Sequence, residues 1–150
     1  MEITPEQIKA LREETGVSIM KCKEALAEAN GDMAKAKELI RDLSAKAAEK
    51  KSDRDLAAGI VQSYIHSNNT IGVLITLGCE TDYVARNEDF IKLAQDIAMH
   101  IAAMGTETLE ELGEQPYVKN PDITINKLIQ ESVLKIGERI QVVEFARFAV

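Results

Sequence analysis

The chain has 150 residues, 45% of them hydrophobic, which suits one ordinary domain, or a domain with a small appendage, whose core forms without covalent staples. A formal net charge of −7 repels phosphate backbones and removes the basic footprint of a nucleic-acid binder, so the expected partner is another protein, with no direct nucleic-acid contact. Only two cysteines are present, Cys22 and Cys79, far apart and without ligand-like neighbours; this predicts neither a disulfide framework nor a metal site, and a reducing compartment.

The opening "MEITPEQIKALREETG" has an acid and an amphipathic pattern where a signal peptide would have a basic start and an apolar run. No apolar stretch is long enough to span a bilayer, so the expectation is a soluble, cytoplasmic protein without membrane contact. Thr4 caps a first helix with Pro5 at its first position and Gly16 as its left-handed stop. Ser18 caps a second helix bearing Met20, Cys22 and Leu26, and Asp32 caps a third in which Met33, Ala36, Leu39, Ile40 and Leu43 recur at helical spacing. These three share their apolar stripes as a mini-bundle, residues 1–51, whose last helix tails into the charged connector "SAKAAEKKSDRD".

From Ala57 the period changes. "AAGIVQSYIHS" and "IGVLITLGC" are β-branched runs around an Asn-rich turn and predict a hairpin. Asn87 then caps a helix with Glu88 and Asp89 in its first turn, a buried stripe of Phe90, Leu93, Ile97, Ile101 and Met104, and Gly105 at its end. Residues 106–122 give at most one short helix. Thr124 starts a last helix that stops at Gly137, and "RIQVVEFARFAV" supplies a third strand. The fold class is therefore α+β: a three-helix bundle, then a core over 52–150 in which a small antiparallel sheet packs on helices in the order β-β-α-α-β.

Catalysis finds little to work with. His66 and His100 read as surface or boundary histidines, Cys79 as a small hydrophobe ending a strand, and no nucleophile, base and orienter converge. Gly59, Gly72 and Gly78 do not form a phosphate-cradling loop. The expectation is a protein that is not an enzyme, with no catalytic residues, cofactor or bound metal. One stretch is left over: "GCETDYVARNEDF" sets Asp82 beside Tyr83 where a strand gives way to a helix. Either Asp82 caps a local turn while Tyr83 packs at the sheet edge, or the pair projects as a wedge into a partner's groove; composition leaves both open.

The chain resembles the elongation factor Ts family, guanine-nucleotide exchange factors for elongation factor Tu. The N-terminal "LREETGVSIMKCKEALAEANGDMAKAKELI" is similar to that family's small ubiquitin-associated-like domain, "IGVLITLGCETDYVARNEDF" to its signature segment, and "KIGERIQVVEFARF" to its closing strand. The resemblance implies that Thr81, Asp82, Tyr83 and Val84 intrude on elongation factor Tu and disturb the Mg²⁺ and phosphate end of its nucleotide site. It implies a docking surface at Thr15, Gly16, Val17 and Met20 of the three-helix domain, which the family uses to contact the GTPase domain. An adaptor that binds some other protein through the three-helix domain is the competing reading.

The departures from the family are informative. Tyr83 stands where the family usually has phenylalanine, and a hydroxyl taken into an apolar pocket unpartnered costs about 1–3 kcal/mol, so it is expected to reach water or a polar group. The segment between Met104 and Pro116 is short for the family, and one sheet unit is present where longer members have two. Family members with a single unit pair with a second copy, which implies a homodimer acting on two molecules of Tu in a two-plus-two complex.

Overall fold

The computed structural model describes residues 2–150. Three helices come first: α1 (Pro5–Thr15), α2 (Ile19–Glu28) and α3 (Met33–Lys50). Thr4 and Gln7 form a reciprocal capping box at the start of α1, in which Gln7 N donates to Thr4 Oγ1 at 3.2 Å and Thr4 N to Gln7 Oε1 at 3.0 Å. Gly16 ends α1 at φ 68°, the left-handed conformation that glycine adopts without strain. Leu11, Cys22, Leu26, Ala36 and Ile40 close a small core among the three helices. Met20 does not join it: it lies two residues from Cys22, about 200° around the helix, and is 70% exposed.

The rest of the chain builds a second core. Strands β1 (Ala58–Ile65) and β2 (Ile71–Cys79) form the predicted hairpin, and β5 (Gln141–Ala149) pairs antiparallel with β2, giving the order β1-β2-β5. A one-turn helix, α4 (Asp82–Ala85), follows β2 and leads into α5 (Glu88–Met104), capped by Asn87 and ended by Gly105 as the sequence predicts. Phe90, Leu93, Ile97 and Ile101 of α5 pack with Val73, Ile75 and Leu77 of β2. After α6 (Leu109–Glu114) the chain makes a small hairpin, β3 (Pro116–Tyr117) and β4 (Asn120–Thr124), where the sequence predicts only irregular chain. Pro116 and Pro121 hide it from propensity arguments, although a two-strand ribbon tolerates proline at its free edge. Helix α7 (Ile125–Ile136) then runs to Gly137 and packs along α3, with Leu134 reaching the three-helix core.

The sheet is covered on one face only. Side chains opposite each other in an antiparallel pair share a face, so the register Ile65↔Gly72↔Phe148 and Ser63↔Leu74↔Ala146 puts Ile65, Leu74 and Phe148 on the side away from α5. Val61 lies on the same side, and all four are exposed, Phe148 by 71%. A bulge at Thr76/Leu77 leaves Val143 as the extra residue of β5.

Candidate functional site

The turn between β2 and α4 places the residues singled out in the sequence. Thr81, not Asp82, is the cap: its backbone is extended and its Oγ1 accepts from Val84 N at 3.3 Å. Asp82 is the first helical residue, where a carboxylate favours the helix dipole and stays exposed. Tyr83 does not pack at the sheet edge; it is 84% exposed. Val84, grouped with the intruding residues by sequence, is buried in the core with Ala85 and so anchors the turn from below. A four-residue helix therefore holds two side chains outward and two inward.

What fixes this turn is a pair of carboxylates that sequence reasoning missed. Glu138 accepts from Glu80 N at 3.1 Å, from Thr81 N at 3.0 Å and from Thr81 Oγ1 at 2.8 Å. Glu80 reaches back, accepting from Arg139 N at 2.6 Å and pairing with Arg54 at 3.4 Å. Arg139 in turn donates to Arg54 O at 2.6 Å and to Gln141 Oε1 at 2.7 Å. Charge-assisted bonds of this kind are stronger than neutral ones, and here they join the β2–α4 turn to the start of β5 and to the connector after α3. The signal the sequence offers is the acid and base at Glu138-Arg139, directly after the helix-ending Gly137.

Beneath the turn, Cys79 is buried and donates from Sγ to Thr81 O at 3.3 Å. Burial first, and the nearby Glu138 carboxylate next, push its thiol pKa up, so it stays a neutral thiol and a packing residue. His100 departs from the sequence reading of a boundary histidine: it is fully buried. Val118 N donates to its Nδ1 at 3.1 Å, which leaves the ring proton on Nε2 to donate to Gln115 Oε1 at 2.9 Å. That pair ties the β3–β4 hairpin to α5, and burial lowers the pKa of the ring. His66 is exposed, within 3.2 Å of Tyr64 Oη. Neither histidine meets a cysteine, and among the described residues no group of three metal-ligating side chains is arranged around a common point.

The second set of candidates sits at the loop between α1 and α2. Thr15 is half-buried and donates from Oγ1 to Leu11 O at 2.7 Å. Val17 is buried in the bundle, so its side chain is not a contact surface. Gly16 lies against Lys135 of α7, whose Cδ stands 2.9 Å from where a Cβ would be. Lys135 also pairs with Asp89 of α5 at 3.4 Å. Of the four residues, only Met20 presents an apolar side chain outward, beside exposed Ile19. No helix among the described residues is long and apolar enough to cross a membrane.

Comparison with known proteins accounts for nearly the whole chain. A family model described as Elongation factor TS matches residues 6–109 and 80–150, so the segment 80–109 is matched twice. The chain is 39% identical over 191 aligned residues to "Elongation factor Ts" of Carboxydothermus hydrogenoformans, covering 97% of this chain and 88% of that protein. It is 38% identical over 195 residues to "Elongation factor Ts" of Fervidobacterium nodosum, covering all of this chain and 99% of that one. Because 195 aligned positions face a chain of 150 residues, about 45 residues of that relative have no counterpart here. With the three-helix start, the sheet and the Thr81–Val84 turn in place, the chain belongs to the elongation factor Ts family.

Proposed function

We propose that this protein is a guanine-nucleotide exchange factor that promotes GDP release from elongation factor Tu in the cytoplasm, as a binding protein and not an enzyme. The observation that carries the reading is Tyr83, an aromatic ring held 84% exposed by a braced turn. An isolated exposed tyrosine costs a soluble protein nothing, but bracing it with two carboxylates and two guanidinium groups makes sense when something is to be pressed against it. Val84 and Thr81 hold the turn, Tyr83 enters the partner, and Asp82 meets a cation or backbone amide there.

A GTPase holds its nucleotide through Mg²⁺ and a phosphate loop, so displacing either weakens binding without any covalent step. The coupling is reciprocal: whatever the factor subtracts from nucleotide affinity, bound nucleotide subtracts from the factor's own affinity. Speeding release 10⁴-fold takes roughly 5.5 kcal/mol, whereas burying one aromatic ring supplies about 1.5–3 kcal/mol. The wedge therefore needs a second grip, and the outward Ile19 and Met20 of the three-helix bundle are the surface suited to it.

The open apolar face of the sheet supports pairing with a second copy, giving a two-plus-two complex with Tu. Val61, Ile65, Leu74 and Phe148 are exposed on the same face of the sheet, and apolar side chains gathered on one face suit an interaction surface. Titrating Tu loaded with a fluorescent GDP against this protein in a stopped-flow instrument tests the exchange reading. Release that accelerates with factor concentration is the expected result, and release at the intrinsic rate throughout would overturn it.

A further inference from the structure

The chain carries 25 acidic against 18 basic side chains, yet one cleft breaks that balance. An open cleft of about 610 Å³ runs between the bundle and the end of α7, and lysines line it: Lys21 from α2, Lys46 and Lys50 from α3, and Lys51 just beyond. Glu49 is the one acid in the lining, while Leu43, Ala47 and Leu134 give it an apolar floor. Six ion pairs are formed among the described residues, and none involves these four lysines. Lysine near a helix C-terminus is favoured by the dipole, which explains Lys50 and Lys51 at the end of α3. It does not explain Lys21, in the first turn of α2, or Lys46, a full turn inside α3.

The lining of the cleft adjoins, along the chain, both elements assigned to partner contact. Lys21 follows the exposed Met20, and Gly137, also in the lining, precedes the Glu138 that holds Thr81. We infer that the cleft receives an acidic, amphipathic segment of the GTPase that the wedge enters, with carboxylates on the lysines and apolar side chains on Leu43 and Leu134. This rests on the exchange reading above and adds a charged contact to the apolar grip at Ile19 and Met20. It also supplies what a chain of net charge −7 otherwise lacks, a local positive field to draw in a protein surface of its own sign.

The test measures both binding and release with the full chain and Tu·GDP at low and moderate salt. Lys46→Glu/Lys50→Glu should raise the factor concentration needed for half-maximal release roughly tenfold or more at low salt and flatten the salt dependence, with the rate at saturation unchanged within about twofold. Lys46→Gln/Lys50→Gln should fall between. If the parent accelerates release and the charge-reversed variant shows the same half-saturation and the same salt slope, the cleft is not a docking site. If the parent binds Tu with lysine-dependent salt sensitivity but never accelerates release, the cleft inference stands and the exchange reading falls. Loss confined to the saturating rate, with half-saturation unmoved, contradicts the cleft inference as well.

Discussion

Glu138 and Thr81 lie 57 residues apart in sequence and are joined twice, Thr81 N donating to Oε1 at 3.0 Å and Thr81 Oγ1 to Oε2 at 2.8 Å. One carboxylate thus sets both the backbone and the hydroxyl of the residue that caps the Tyr83 helix. Glu138→Ala removes the acceptor for two amides and a hydroxyl, and hydrogen bonds to a charged group contribute about 1.5–3 kcal/mol in less exposed settings. Since the turn is partly solvated, a loss of about 1–2 kcal/mol in urea unfolding is expected. Stimulated GDP release should fall further than affinity for Tu, because a loosened turn still docks but no longer presses.

Tyr83→Ala should separate function from stability most cleanly. With the ring 84% exposed, unfolding should change by no more than about 0.5 kcal/mol, while stimulated release drops roughly ten- to a hundredfold. Tyr83→Phe should release GDP at least as well if the hydroxyl merely reaches water, and more slowly if it finds a polar partner in Tu; comparing the two rates decides which.

His100 sets an acid limit on stability. Its folded pKa is lowered by burial, so the unfolded chain binds the proton more readily. The contribution is complete above the ordinary value of about 6.5 and is lost as pH falls below it toward the folded pKa. Protonation also places a second N–H on Nδ1, facing the donor at Val118 N. The urea midpoint should therefore decline between pH 7 and 5.5, and His100→Asn should flatten that decline while lowering the midpoint at pH 7.

The open sheet face predicts a dimer in solution. Light scattering should give twice the chain mass, and Phe148→Asp, at the most exposed of the four apolar positions on that face, should halve it without unfolding the monomer. A single-chain mass for the parent protein at micromolar concentration would remove the basis for a two-plus-two complex.

Much of this was legible in the sequence, and the limits have physical causes. Caps and stops at Thr4, Gly16, Ser18, Asp32, Asn87, Gly105, Thr124 and Gly137 are local chemistry, and each was readable because its bond closes within a few residues. The β3–β4 hairpin was not, since its strands are short and interrupted by proline, and pairing outweighs propensity there. Met20 shares α2 with Cys22 and Leu26, but angle around the helix, not adjacency in sequence, decides exposure and turns it outward. Val84 and Val17 were grouped with contact residues by their position in a motif, although their side chains point into cores. The brace at Glu138 and the burial of His100 depend on which residues meet across 57 and 18 positions, and no local pattern encodes that.

The central claim is that a braced Asp82-Tyr83 pair expels the nucleotide. It is tested most directly by stopped-flow release of fluorescent GDP from Tu with Asp82→Ala/Tyr83→Ala, alongside circular dichroism and urea unfolding of the same variant. The account predicts a folded protein with the parent's unfolding midpoint and release close to the intrinsic rate. A folded double variant that accelerates release as the parent does would contradict it.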